Sequence, residues 1–138
     1  MTDAVSSGSC LCGAVAFEIT GFLRPVIACH CGTCRKVSGN FWAATSARWD
    51  RISLTRQDGL RWFQSSETVR RGFCEICGST LFYEPEGQER LAISAASLDA
   101  PTGLRLVSHV FVEEKGDWYD LADGLPCHSG FSGEENGA

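Results

Sequence analysis

Seven of the eight cysteines in this chain fall in three tight groups: Cys10-Leu-Cys12, Cys29-His-Cys31-Gly-Thr-Cys34 and Cys74-Glu-Ile-Cys77. No other feature limits the fold as strongly. Two, three and two ligands make one set of four and one set of three. A closed tetrahedral zinc site takes four thiolates. An open, reactive one takes three protein ligands and leaves a position for solvent or substrate. The spacing therefore predicts one structural zinc and a second zinc able to meet a ligand.

A disulfide framework is the rival reading, and it needs an oxidising compartment. The segment Met1-Thr-Asp-Ala-Val-Ser-Ser-Gly8 carries no basic stretch followed by an apolar one, so nothing in it directs secretion. The expectation is a cytoplasmic protein with reduced thiols. A redox dithiol is a second rival for one Cys-x-x-Cys, but three clustered groups in a short chain suit metal better.

Length and charge narrow the field further. At 138 residues the chain is expected to form a single domain, with a core over about residues 8–126 and a frayed, flexible tail at 132–138. No apolar run approaches the ~20 residues that span a bilayer, so no membrane partner is expected. The net charge of −5 argues against nucleic-acid binding. Its distribution says more. Residues 24–71 carry nine Lys/Arg against three acids, residues 72–138 three against twelve. The three-cysteine group lies in the positive segment, whose field would draw a small anionic ligand.

Hydrophobic alternation and β-branched runs predict a mainly β chain. Residues 1–9 read as a loose start. Strands are expected at 14–20, 25–29, 41–45, 52–55, 60–63, 68–73, 80–83, 91–95 and 104–112, the last being the richest in β-branched and aromatic residues. One helical turn over 33–39 would stop at Gly39. Gly78, just past Cys77, suits the positive φ of a metal-binding turn. Backbone N–H groups in such turns can donate to the thiolates.

Spacing leaves two ways to share the ions. Cys31, Cys34, Cys74 and Cys77 could make the four-thiolate site, stranding Cys10, Cys12 and Cys29. Alternatively Cys10, Cys12, Cys74 and Cys77 share one ion, and Cys29, Cys31 and Cys34 hold the other. The second is preferred, because a local trio binds without long-range closure and faces outward; spacing alone leaves both open.

Gly8-Ser-Cys-Leu-Cys-Gly-Ala-Val15, Cys29-His-Cys-Gly-Thr-Cys-Arg-Lys-Val-Ser-Gly39, Arg71-Gly-Phe-Cys-Glu-Ile-Cys-Gly-Ser-Thr80 and Trp118 followed by Asp123-Gly-Leu-Pro126 resemble the glutathione-dependent formaldehyde-activating enzyme family, also called the centromere protein V/formaldehyde-activating (GFA) domain. The resemblance covers roughly residues 8–126. It implies a β-tent of stacked antiparallel sheets with zinc-binding knuckles. It implies a structural zinc on Cys10, Cys12, Cys74 and Cys77 and a catalytic zinc on Cys29, Cys31 and Cys34. It also implies a carbon–sulfur lyase reaction, the condensation of glutathione with formaldehyde to S-(hydroxymethyl)glutathione.

Such a zinc favours the thiolate form of a substrate thiol. Three thiolate ligands make it a weak Lewis acid, so the open position suits the thiol better than the carbonyl oxygen, and a loop-held ion should be labile. Arg35 and Lys36 follow the trio and are expected to pair with glutathione carboxylates. Arg48, Arg70 and Arg71 are weaker candidates, and Ser38 and Asn40 are candidate pocket residues. His30 is expected to turn away from the metal, His109 to be a packed or hydrogen-bonded core residue, and Cys127 with His128 to be incidental. Trp42, Trp62 and Trp118 read as core. Two other functions stay open at this point: a non-catalytic zinc-stabilised binding module, and a methionine sulfoxide reductase, for which only Cys127 is left as the redox thiol.

Overall fold

A computed structural model describes residues 3–135. Ten strands and one short helix follow one another as β1 Val5–Ser9, β2 Ala16–Thr20, β3 Val26–Cys29, α1 Gly32–Ser38, β4 Trp42–Arg48, β5 Ile52–Arg56, β6 Leu60–Gln64, β7 Val69–Cys74, β8 Thr80–Pro85, β9 Arg90–Ser94 and β10 Leu106–Val110. They form two sheets, a three-stranded one of order β1-β2-β5 and a seven-stranded one of order β10-β3-β4-β9-β8-β7-β6. The protein is mainly β with antiparallel sheets, as expected; the parallel pairing of β10 on β3 is the exception.

The sheets meet through alternating side chains. Val15, Phe17 and Ile19, at and before β2, face Ala47, Phe82, Leu91 and Ile93 of the larger sheet in one buried cluster. Phe17 and Phe82 make an edge-to-face pair with ring centroids 5.4 Å apart. Burying such side chains contributes roughly 1.5–3 kcal/mol each. Period-two alternation sends the intervening residues to the opposite face. There Ile27 and Cys29 of β3, Trp42, Ala44 and Ser46 of β4, Ala92 of β9, Tyr83 of β8 and Arg71 of β7 line a cavity of about 520 Å³. The larger sheet thus serves the core with one face and forms a pocket floor with the other.

Three expectations need correction. The loose start at residues 1–9 contains β1, which pairs in full antiparallel register with β2, Val5 opposite Thr20 and Ser9 opposite Ala16. Val-Ser-Ser-Gly-Ser has little strand propensity; the neighbouring strand imposes the conformation. The strand expected to reach residue 112 ends at Val110, because Phe111 adopts a left-handed φ of 55°. Trp118, expected in the core, is 61% exposed. At the other end, the first four residues of the tail expected to fray at 132–138 make a turn. Ser132 and Gly133 donate to the Glu135 carboxylate, and the Glu135 carbonyl accepts from Arg24 at 2.6 Å. Residues 136–138 lie outside the described residues.

Candidate metal centres and the adjoining cavity

The seven clustered sulfurs gather into two groups. Cys10, Cys12, Cys74 and Cys77 bring their Sγ atoms within 4.8 Å of one another, and so do Cys29, Cys31 and Cys34. None of the eight cysteines is in a disulfide.

The four-sulfur group joins the turn before β2 to the knuckle after β7. Cys10 Sγ to Cys12 Sγ and Cys12 Sγ to Cys74 Sγ are both 3.7 Å. Four sulfurs ~2.3 Å from one tetrahedral ion lie about 3.8 Å apart, so the group has the size such an ion needs. The amide of Val15 donates to Cys10 Sγ, and the Ser79 hydroxyl lies 3.2 Å from Cys77 Sγ. That hydroxyl, with backbone amides, brings the Cys77 thiol down to about 5. Gly78 has φ 81°, which allows the knuckle to turn. Gly59 is needed for a different reason: a Cβ there would stand 2.7 Å from Cys74 Sγ and 3.0 Å from the Ala14 Cβ.

The three-sulfur group spans the end of β3 and the start of α1. Cys31 caps the helix, its Sγ accepting from the Cys34 amide at 3.3 Å. The Gly32 amide donates to the Glu114 carboxylate, which ties the loop to the turn after β10. Three adjacent thiols do not ionise independently. Hydrogen bonds from Cys29 and Cys34 hold the Cys31 thiol far below its ordinary range, helped by the charge on Arg71. The same contacts push Cys29 up. Soft sulfur donors in sets of four and three fit a metal ion of the zinc type. The two sets differ in surroundings: Cys29, Cys31 and Cys34 open onto the 520 Å³ cavity, and none of the other four lines it.

The arginines are arranged differently from the sequence expectation. Arg35 and Lys36 lie on α1 and do not line the cavity; nor do Ser38 and Asn40. Ser38 instead donates to the Cys34 carbonyl at 2.6 Å. Arg48 pairs with Asp50 and Glu89 at the surface, and Arg70 pairs with Glu84 while lying over the Trp62 ring. Arg24, Arg71 and Arg90 border the cavity. Arg24 is buried and spends its donors on the carbonyls of Pro25, Ala44 and Glu135. Arg90 donates to the Ser46 hydroxyl at 3.0 Å and has a free Nε among the described residues. Arg71 donates to Cys34 Sγ at 3.4 Å. Its sequence signal was available, since it opens the Arg71-to-Thr80 segment, but nothing local says that β7 turns it toward the trio.

His30 points away from the sulfurs. It is buried and hydrogen-bonded to Tyr119 at 2.8 Å and to His109 at 2.9 Å. His109 in turn meets Asp123 at 2.7 Å. Burial, followed by the facing His109 and Lys115, brings His30 down to about 4 against an opposing pull from Asp123. Cys127 is exposed, yet its backbone bridges His109 and so extends the β10 edge.

Fold and site together define a β-rich protein with two sulfur-rich centres able to hold metal, one of them opening onto a cavity. Residues 5–114 match the model of the family described as glutathione-dependent formaldehyde-activating enzyme, and the chain belongs to that family. It is 27% identical over 117 residues to an uncharacterized lyase of Schizosaccharomyces pombe, covering 84% of this chain and 85% of that protein. The crystal structure of a Rhodobacter sphaeroides protein superposes with a TM-score of 0.59 at 25% identity, over 70% of this chain and 91% of that one. No helix of the described residues is long and apolar enough to cross a membrane.

Proposed function

We propose that this chain, as a single GFA-type domain, is a zinc-dependent carbon–sulfur lyase acting on a glutathione or small-thiol adduct, with S-(hydroxymethyl)glutathione formation from glutathione and formaldehyde as the model reaction. One observation carries the reading: of two sulfur centres, only the three-sulfur one borders the cavity. Cys10, Cys12, Cys74 and Cys77 are assigned a structural zinc, and Cys29, Cys31 and Cys34 the second. A zinc ion held by the trio supplies stabilisation of a thiolate at neutral pH.

The remaining work falls to side chains. Ile27, Trp42, Ala44 and Ala92 give the cavity an apolar floor that limits water around the reacting sulfur and strengthens every charge interaction there. Trp42 pairs with Cys29 across the strands, while Arg90 reaches Ser46, four residues further along β4. At 3.2–3.4 Å per residue the two points are about 13 Å apart. Arg90, with its free Nε, is therefore assigned to a carboxylate at the far end of an extended thiol, the role the sequence suggested for Arg35 and Lys36. A site of reduced thiols also requires a reducing compartment, which fits the cytoplasm. Neither nucleic acid nor membrane has a part in this reading.

The test compares wild type with Cys31→Ser. Zinc per chain, the thermal melt, and adduct formation from glutathione and 13C-labelled formaldehyde are measured together. The variant is expected to lose one zinc and its turnover while staying folded. A wild type that binds two zinc ions but neither binds thiols nor forms adduct would favour a non-catalytic binding module.

A further inference from the structure

Arg71 is a buried charge with unused donors. It is 6% exposed, yet its Nε and Nη1 have no hydrogen-bond partner among the described residues. Only Nη2 is engaged, on Cys34 Sγ at 3.4 Å. The guanidinium lies against two neighbouring aromatic rings, 5.0 Å from the Tyr83 centroid and 5.8 Å from that of Trp42. Trp42 is also 6% exposed, and its Nε1 has no partner either. Both residues line the cavity beside the sulfur trio. The acid that shares this cavity, Glu135, is occupied with Ser132 and Gly133. Buried donors are ordinarily paired, and a fixed planar guanidinium with a free N–H on either side of Nη2 can present one of them, beside the second Nη2 proton, to an oxygen anion.

We propose that Arg71, assisted by Trp42 Nε1, is a catalytic residue that holds the aldehyde oxygen of the substrate and the alkoxide formed from it; the assignment rests on the thiol–aldehyde reading above. The contact with Cys34 fixes the fork at the trio. An oxygen on the carbon next to the substrate sulfur falls within its reach, whereas the carboxylates of an extended thiol lie several bonds away, toward Arg90. In the step assisted, the substrate thiolate attacks the carbonyl carbon. The carbon–sulfur bond forms, the C=O π pair moves onto oxygen, and water protonates that oxygen, replacing the proton the thiol gave up on ionisation. The reverse is the lyase direction. Charge grows on oxygen only as the reaction proceeds, so preformed donors aimed there lower the barrier more than they tighten binding.

The experiment uses zinc-loaded wild type, Arg71→Lys and Trp42→Phe, with adduct formation followed by NMR, glutathione affinity by calorimetry, and zinc counted per chain. Lys keeps a charge near Cys34 but loses the fork; Phe keeps a ring and loses only the N–H. Turnover is expected to fall about 10²–10³-fold in Arg71→Lys and about tenfold in Trp42→Phe. Glutathione affinity should stay within about twofold in both, with two zinc ions retained. A tenfold or greater loss of glutathione affinity in Arg71→Lys would make the fork a carboxylate clamp and overturn the assignment. Loss of one zinc would assign the guanidinium to Cys34 and overturn it too. Undiminished turnover in both variants overturns this inference alone, and absence of turnover and thiol binding in the wild type overturns the underlying reading with it.

Discussion

His30 Nε2 and His109 Nδ1 lie 2.9 Å apart inside the protein, so one ring must donate and the other accept. Asp123, held below the usual carboxylate range by its hydrogen bond from His109, accepts at His109 Nε2. That leaves a lone pair on His109 Nδ1, so His30 carries its proton on Nε2. Its own Nδ1 then accepts from the Tyr119 hydroxyl. One anion at the surface thereby sets the direction of donation through two rings in a row, and the row ends on the residue between Cys29 and Cys31.

This chain makes stability sensitive to acid. His30 has a folded value depressed to about 4, mainly by burial, against an ordinary ~6.5. A depressed folded value means the unfolded chain binds the proton first. The contribution is complete above pH ~6.5 and lost as pH falls toward about 4. His109, Lys115 and Asp123 face the ring throughout. His30→Gln keeps a donor toward His109 and does not titrate. From pH 7 to pH 5, the wild type should lose about 1–2 kcal/mol relative to this variant in urea midpoints. Parallel curves would contradict a His30 ring held neutral by burial.

Gly59 should not tolerate a methyl group. The added carbon would meet Cys74 Sγ and the Ala14 Cβ, and a sulfur held by the proposed zinc could not retreat. Gly59→Ala is expected to cost more than the ~1–3 kcal/mol of ordinary overpacking. Zinc per chain should fall and the melting temperature with it.

The two sulfur centres should respond differently to loss of a ligand. Cys10 and Cys12 are joined to Cys74 and Cys77 across more than sixty residues of chain. Zinc binding in such closed sites is worth ~10–16 kcal/mol in small peptides, comparable with the ~5–15 kcal/mol stability of a whole domain. Cys74→Ser is therefore expected to give insoluble or unfolded protein. Cys31→Ser should melt cooperatively within several degrees of wild type in circular dichroism.

Arg90 and the α1 cations offer a contrast in kinetics. Arg90→Gln removes a charge from the cavity wall at the Ser46 end. A lost charged hydrogen bond of ~1.5–3 kcal/mol predicts a KM for glutathione raised about ten- to a hundredfold with kcat little changed. Arg35→Ala and Lys36→Ala, outside the lining, should move KM by less than about twofold. The reverse ranking would return the carboxylate role to α1.

Much of the fold was legible because it is local. Alternation marked β2 and β9, and Gly39 ended α1 with its amide on the Arg35 carbonyl. The groups of cysteines announced themselves by spacing. What escaped was decided by partners far along the chain. β1 has no propensity of its own and exists through β2. The parallel seat of β10 beside β3 depends on a crossover that no window of sequence contains. Arg71 and Arg70 are neighbours of identical type, yet one enters the cavity and the other pairs with Glu84. Only the strand's facing direction separates them, and that is set by the sheet.

The interleaving of core and cavity residues along β4 has a consequence for how this scaffold can change. Ala47 and Thr45 answer to interior packing, while Ser46, Ala44 and Trp42 answer to whatever occupies the pocket. Alternate positions can drift independently, so a new substrate preference need not loosen the protein. An insertion of one residue in that strand would swap the two vocabularies at once, putting tryptophan where methyl groups pack and alanine where the ligand sits.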